Sequence, residues 1–412
     1  MSITKEGLFK YQALNERQRK NLIILEAIRK KGPISKASLS KQLGYNVVTL
    51  SNYIEEYLKK RLVCEKGLDV SSGGRRPALL ELNKEEAFLI GIDFSKEALK
   101  GLVTDFMLNV ICETEVPKPA IEQEEVEKQI IVLIKELIKD SGADASKIKF
   151  IAVGTYGVID EKNSAIKGLD EEKGRSRATI YFTRLKQAIE EKFNVRTFFG
   201  TSASFAAFGE RAKNPNAETD NMLYVFQDVG NGVVIKGEIY CGTDLGSVDL
   251  EGVTGSLNEE EKLRLREKSL YLKPWNSQMS LKNETQKVIE RGVGTKIVEL
   301  LKGDLGSLND EVVIKAAAQK DEIATELIEG IGINLGVRIA YLINLFSPQV
   351  VIIGGGIEKA GEILFEQVEK TIEKLSLEKP KRAVKILPSI LGERAVGLGA
   401  AAVALRENFL EA

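Results

Sequence analysis

The residues whose types and spacing best suit recognition chemistry lie at 46–52, where Asn46, Val47, Val48, Thr49, Ser51 and Asn52 open a helical pattern. An asparagine amide can pair bidentately with adenine, and a valine can lie against the thymine methyl. This surface therefore suits base edges in a DNA major groove. It carries little charge. Phosphate contacts would fall to Lys36, Lys41, Lys59 and Lys60, and to Arg75 and Arg76 in a loop flanked by Gly and Pro. Arginines in such a loop could enter a narrow minor groove, where the potential is most negative.

Acid–base and metal chemistry have fewer candidates. The 412 residues contain no histidine, so the commonest general base and metal ligand is missing. Catalysis would have to run on carboxylates, hydroxyls or lysines. Cys64, Cys112 and Cys241 are scattered singly, which suggests small buried side chains rather than a disulfide framework or a zinc site. Nothing in the sequence calls for a metal or another cofactor.

The elements that must position the 46–52 surface are local. Asn15 to Lys31 reads as a helix with Leu22, Ile23, Leu25 and Ile28 on its apolar face, ended by Gly32-Pro33. Ser35 can cap a second helix with Ala37, Leu39 and Leu43 as its stripe, and Gly44 can end it. Asn46 can cap a third, with Leu50, Ile54, Tyr57 and Leu58 inside. Helix, Gly-containing turn, helix fits either a plain helical hairpin or a helix-turn-helix DNA reader. Leu62–Cys64 reads as a short strand, Gly67 as a turn, Val70 as a second strand, and 71–77 as a basic loop, together a wing. Residues 1–80 hold 16 Lys and Arg against 7 Asp and Glu, whereas the whole chain has a net charge of −1. A basic module on an acidic body suits a phosphate-rich partner.

The remainder alternates strands and helices. Strands are expected at 87–94, 99–105 and 109–112, a helix at 122–140 and a strand at 148–153. The pattern begins again after Asn194, with a strand at 195–199, a helix at 202–212, and strands at 222–227 and 233–239. Two similar halves suggest a duplicated α/β fold with a cleft between lobes. No apolar run approaches the roughly 18 residues of a membrane span, and MSITKEGLFK lacks a signal-peptide core, so a cytoplasmic protein is expected.

Three stretches together resemble the ROK family of repressors and sugar kinases, and its winged-helix repressor branch in particular. They are GPISKASLSKQLGYNVVTLSNYIEEYLKKRLV (32–63), the GGRRP loop, and NLFSPQVVIIGGGIEKAGE (344–362). PSILGERAVGLGAAAVAL near residue 400 extends the likeness from about residue 15 to the end. The resemblance implies an N-terminal winged helix-turn-helix (1–80) before a duplicated, two-lobed actin-like or hexokinase-like (ribonuclease H-like) α/β body. The first lobe would span 81–197, with a helix from 393–412 returning to it. The second lobe, 198–392, would carry dimerisation.

The resemblance also implies where kinase chemistry would lie. The family's first glycine-rich phosphate turn falls on Asp93-Phe94-Ser95-Lys96-Glu97, without its glycines and with a repelling Glu97. Ser202 stands where the family's catalytic aspartate would accept the sugar hydroxyl's proton, and a serine with no neighbouring base cannot do so. The second phosphate loop becomes Phe226–Gly232 with Asp228 in it. The sugar-contacting segment becomes Gly246–Leu250, and the zinc cysteines are missing. Gly354-Gly355-Gly356 remains, suited either to a nucleotide or to close strand-to-helix packing.

Together these features imply a DNA-binding transcriptional regulator, a repressor of carbohydrate-utilisation genes, whose body has no kinase activity. Its partners would be a double-stranded operator, a sugar or sugar-phosphate effector, and a second copy of the chain in a homodimer or higher assembly. Thr155, Tyr156, Ser202, Ser204, Asp228 and Asp249 are the effector-site candidates. The alternatives are an ATP-dependent sugar kinase with an appended DNA-binding domain, or a DNA-binding protein that has lost its small-molecule ligand.

Overall fold

Two short strands, β1 (Ser2–Ile3) and β2 (Phe9–Lys10), pair antiparallel ahead of the first helix. The computed structural model describes residues 2–3, 7–10, 13–68, 77–94, 98–117, 122–155, 158–167, 179–217, 219–227, 230–240, 280–376 and 384–412. Helix α1 (Glu16–Lys31) starts at a capping box. The Asn15 side chain accepts from Gln18 N–H, and the Gln18 side chain accepts from Asn15 N–H. Its buried row is Asn21, Ile24, Leu25 and Ile28, whereas Ile23 is exposed and Leu22 half-buried. The sequence thus places the apolar face slightly off its true phase, because a polar residue, Asn21, occupies a core position.

Strand β3 (Ile34–Ser35) leads into α2 (Lys36–Leu43) and α3 (Val47–Lys59). Ala37, expected inside, is exposed; Leu39 alone is fully buried on α2. Strands β4 (Val63–Leu68) and β5 (Ala78–Leu82) form a hairpin, and β3 adds to β5 to complete a three-stranded sheet. Gly67 lies within β4 at a register shift rather than in the connecting turn. The strand that pairs with β4 is 78–82; the stretch expected as a strand at Val70 lies outside the described residues with the rest of 69–76.

Contacts divide the chain into two units, Met1–Ser202 with Val396–Ala412, and Ala203–Ala395. The first holds β6 (Phe88–Phe94), β7 (Ala98–Thr104), β8 (Val110–Pro117), α4 (Gln123–Ser141) and β9 (Ile148–Thr155). A small antiparallel sheet of β10 (Val158–Asp160), β11 (Ala165–Lys167) and β12 (Ile180–Tyr181) follows. Then come α5 (Phe182–Phe193) and β13 (Arg196–Thr201). The main sheet runs β13-β9-β6-β7-β8, with β6, β9 and β13 mutually parallel.

In the second unit, α6 (Ser202–Lys213) precedes β14 (Met222–Phe226), β15 (Asn231–Ile235) and β16 (Glu238–Tyr240). Residues 233–239, expected as one strand, are two strands joined by a turn at Lys236–Gly237. Helices α7 (Leu281–Glu290), α8 (Lys296–Leu301), α9 (Asp310–Ala318) and α10 (Glu322–Phe346) lead to β17 (Val350–Gly354), α11 (Glu362–Leu375) and β18 (Lys385–Pro388). The sheet order is β16-β15-β14-β17-β18, the same succession of a three-stranded antiparallel meander and two parallel strands as in the first. The repeat of the pattern starts at Met222, and the strand expected to open it closes the first sheet as β13.

Each sheet is crossed by a helix at a glycine. A Cβ on Gly91 of β6 would lie 1.9 Å from the Gly397 carbonyl oxygen in α12 (Ala395–Leu410). A Cβ on Gly232 of β15 would lie 2.2 Å from the Ala203 carbonyl oxygen in α6. Cys64 and Cys112 are half-buried rather than core residues, and burial raises both thiols above their ordinary range. Cys241 lies outside the described residues. No helix among the described residues is long and apolar enough to cross a membrane.

Candidate nucleic-acid interface and candidate ligand sites

The turn between α2 and α3 is built from side chains that satisfy backbone at both helix ends. Ser35 Oγ accepts from Ser38 N–H at 3.3 Å to start α2, and Gly44 ends it in the left-handed conformation. Ser40 Oγ donates to Tyr45 O at 2.6 Å across the turn. Asn46 then caps α3, its Oδ1 accepting from Val48 N–H at 2.8 Å. That hydrogen bond engages the acceptor half of the Asn46 amide and leaves the Nδ2 donor for another partner.

Leu50, Ile54 and Tyr57 are fully buried on α3, and Leu58 is half-buried beside them. The opposite face at the start of the helix is exposed: Val47 by 50%, Val48 by 70%, with Thr49 and Asn52 also open and Ser51 partly so. Two adjacent exposed valines on a folded helix mark a surface suited to contact. Lys41 is exposed and Lys36 partly exposed at the flank. Arg75 and Arg76 lie outside the described residues. Arg17 reaches Glu56 at 2.6 Å from α1 to α3, an exposed pair that adds little stability.

Behind α3 lies a contact that the sequence does not announce. Tyr57 Oη donates to Asn21 Oδ1 at 2.8 Å, and Asn21 Nδ2 donates to the main-chain oxygen of Ala412 at 2.6 Å. Burial raises the Tyr57 hydroxyl above the ordinary phenol range, so it remains a neutral donor. A polar residue at a core position of α1 was the available signal.

The second candidate site is the carboxyl edge of the first sheet, where ligands collect in open α/β sheets. Asp93 faces Gly154 across β6 and β9, and Thr155 faces Thr201 across β9 and β13, so these residues form neighbouring rows. Ser202 follows at the end of β13. Thr155 is buried and donates to Gly200 O at 3.4 Å. Ser202 is 5% exposed, and its buried hydroxyl has no hydrogen-bond partner among the described residues. Ser204 is buried two residues later on α6, within the second unit. Tyr156, Asp228 and Asp249 lie outside the described residues, as do 95–97 and 246–250.

The three glycines at 354–356 have a different setting. A Cβ on Gly354 would meet the Tyr224 hydroxyl at 1.9 Å, and one on Gly355 would meet the Phe226 ring at 2.5 Å. The two aromatic rings pack edge-to-face at 4.9 Å. Gly356 N–H donates to Glu358 Oε2 at 2.7 Å, so a carboxylate holds the amide that a phosphate would seek. Burial pushes the Glu358 carboxyl above the usual range, and the nearby Glu210 adds to the shift. Arg338 from α10 donates to the carbonyl oxygens of Phe226 and Gln227, and Gln227 donates to Asp310 at 2.6 Å. The end of β14 is thus tied down by protein groups.

A family model described as the ROK family matches residues 89–250 and 276–407, well over half of the chain. The chain belongs to the ROK family. The xylose repressor of Bacillus subtilis (strain 168) is 26% identical over 393 residues, covering 94% of this chain and 95% of that one. Among solved structures, a ROK family transcriptional regulator described as a homologue of the E. coli MLC protein aligns with a TM-score of 0.72 at 20% identity. That alignment covers 96% of this ROK chain and 98% of the regulator. A ROK glucokinase from Streptomyces griseus, solved with glucose and AMPPNP, aligns with a TM-score of 0.60 at 19% identity and covers only 76% of this chain but 98% of the kinase. Both structures share the α/β fold. The ROK match begins at residue 89, leaving the helices and hairpin of residues 16–82 ahead of it.

Proposed function

We propose that this protein is a sequence-specific DNA-binding repressor of carbohydrate-utilisation genes. Its first 80 or so residues would form a winged helix-turn-helix, and its body a duplicated actin-like fold that binds a sugar or sugar derivative without phosphorylating it. The observation that carries the reading is the exposed Val47–Asn52 edge of α3, capped and backed by a complete helical core, ahead of the ROK region. The full-length likeness to a protein named xylose repressor supports it. The basic excess of residues 1–80 supplies the phosphate attraction such a module needs.

Ser202 in place of a catalytic aspartate, Glu358 on the Gly356 amide, and the aromatic filling of the Gly354–Gly355 turn all argue against phosphoryl transfer from ATP. The buried Ser202 hydroxyl, without a partner among the described residues, argues for a retained ligand. Leaving it so costs about 1–3 kcal/mol unless a bound group pairs with it. Thr155 and Ser202 are the contacts we assign to the effector. Two copies of the chain would place their α3 helices on half-sites about one turn of DNA apart.

Selection of duplexes from a random pool by the full chain tests the reading. A recurrent paired half-site is expected, with affinity falling steeply as salt rises. Thr49→Ala or Asn52→Ala should relax base preference at one position by about 1–3 kcal/mol of discrimination. A thermal-shift panel of sugars and sugar phosphates, beginning with xylose, should return at least one stabilising compound and none that turns over with MgATP. No enriched sequence in the pool would sink the proposal.

A further inference from the structure

Residue 21 is the only polar member of the α1 row formed by Asn21, Ile24, Leu25 and Ile28, and it is fully buried. Its amide faces two ways. Oδ1 accepts from Tyr57 Oη on α3, and Nδ2 donates to Ala412 O just beyond α12. An amide alone among side chains of this size both donates and accepts in this manner; aspartate would lose the donor and leucine both groups.

The segment that Asn21 touches is itself fixed to the first sheet. Arg196 of β13 pairs with Glu411 at 2.6 Å, and the Arg196 guanidinium also lies over the Phe150 ring of β9, 4.5 Å from its centroid. Lys60, just after α3, donates to Glu411 O at 3.4 Å. A polar path therefore runs from β13 through Arg196 and residues 411–412 to Asn21 and Tyr57. A second attachment meets the same edge strand. Leu8 bridges Phe199 in parallel register, Phe199 N–H donates to Gly7 O at 2.8 Å, and Leu8 and Phe9 are buried.

We propose that Asn21 is a positioning residue for the DNA-reading helix, the joint through which the edge of the first sheet sets how α3 is held. The proposal rests on the DNA-binding reading for its purpose, though not for its physical test. Asn21 touches no nucleic acid and acts through Tyr57. A helix held from behind by two directional hydrogen bonds has a defined orientation, whereas Leu50 and Ile54 supply only non-directional packing. A shift of β13 would reach α3 along this route, which is how an event in the body could change the presentation of Val47–Asn52.

The test is amide hydrogen exchange on the full chain, resolved to peptides, for Asn21→Leu, Tyr57→Phe, Arg196→Ala and the Asn21→Leu/Arg196→Ala double variant. The ion pair and the ring contact of Arg196 go to Glu411 and Phe150 and not to α1 or α3, so an Asn21 that merely packs locally would leave Arg196→Ala silent at residues 47–59. The joint predicts about threefold faster exchange there for Arg196→Ala and about tenfold for Asn21→Leu. The double variant should show no more than the larger single effect, with residues 322–346 unchanged throughout. Tyr57→Phe keeps the ring and serves in place of Asn21→Leu if that variant does not fold. For a duplex selected by the wild-type chain, the variants should bind about tenfold more weakly at unchanged salt slope, because the phosphate contacts are untouched. An unchanged α3 in Arg196→Ala, or effects that multiply independently, would overturn the joint. Absence of DNA binding with the exchange pattern intact would instead overturn the functional reading alone.

Discussion

At the carboxyl edge of the first sheet, a buried hydroxyl on Ser202 has no partner among the described residues and sits beside a buried Thr155. At the same edge of the second sheet, Tyr224 and Phe226 fill the turn at Gly354–Gly355, and Glu358 takes the Gly356 amide. The sheets share one strand order, so the contrast lies in side chains alone. A strand edge can lose an old ligand by filling with its own residues, or change its chemistry and leave polar groups waiting. In the second sheet aromatic rings fill the turn; in the first, Thr155 and Ser202 keep buried hydroxyls at the strand ends, and the proposed effector site rests on these.

The largest expected effect asks whether the two sheets are equivalent in build. Gly91→Ala and Gly232→Ala each force a Cβ against a helix carbonyl, which cannot swing aside as a side-chain tip would. Each should cost about 3 kcal/mol in denaturant unfolding, as overpacking of a filled core does. A tolerated substitution in either sheet would break the parallel. Next in size is Ser202→Ala. It removes an unsatisfied buried group, so stability should rise by about 1 kcal/mol while the sugar-induced thermal shift disappears. Loss of stability with the shift retained would show that Ser202 serves packing instead.

The smallest effect concerns pH and the second sheet. Burial raises the folded-state pKa of Glu358 above its unfolded value. The protonated form is favoured in the fold, so its contribution is fully present below the unfolded pKa, near 4.5, and is lost as pH rises through the folded one. Glu358→Gln should flatten that part of the stability–pH curve, because the amide cannot titrate. An unchanged slope would remove Glu358 from the account.

The caps were legible because they are local. Ser35, Gly44 and Asn46 each act within a few residues of themselves, and their types announce the role. The phase of α1 was not, since whether Ile23 or Ile24 faces inward depends on the distant partners Tyr57 and Ala412. The break at Lys236–Gly237 hides inside an apolar run, and the pairing of β4 with 78–82 is set by partners that no local pattern announces. Ser202 was found only through resemblance to a family. No spacing rule could have paired Tyr224 with Gly354, which lie on neighbouring strands far apart in sequence.

The crossing of β6 by α12 has a consequence for synthesis of the chain. Gly91 leaves the ribosome some 300 residues before Gly397, the residue that covers it. At about 5–20 residues per second the first sheet waits roughly 15 to 60 seconds with its central strand uncovered. During that interval Leu89, Ile90 and Ile92 form part of an incomplete layer, while the helices of residues 16–59 are already complete in sequence. Nascent chains should therefore recruit chaperones late, and a fragment that stops before residue 395 should be the one that aggregates.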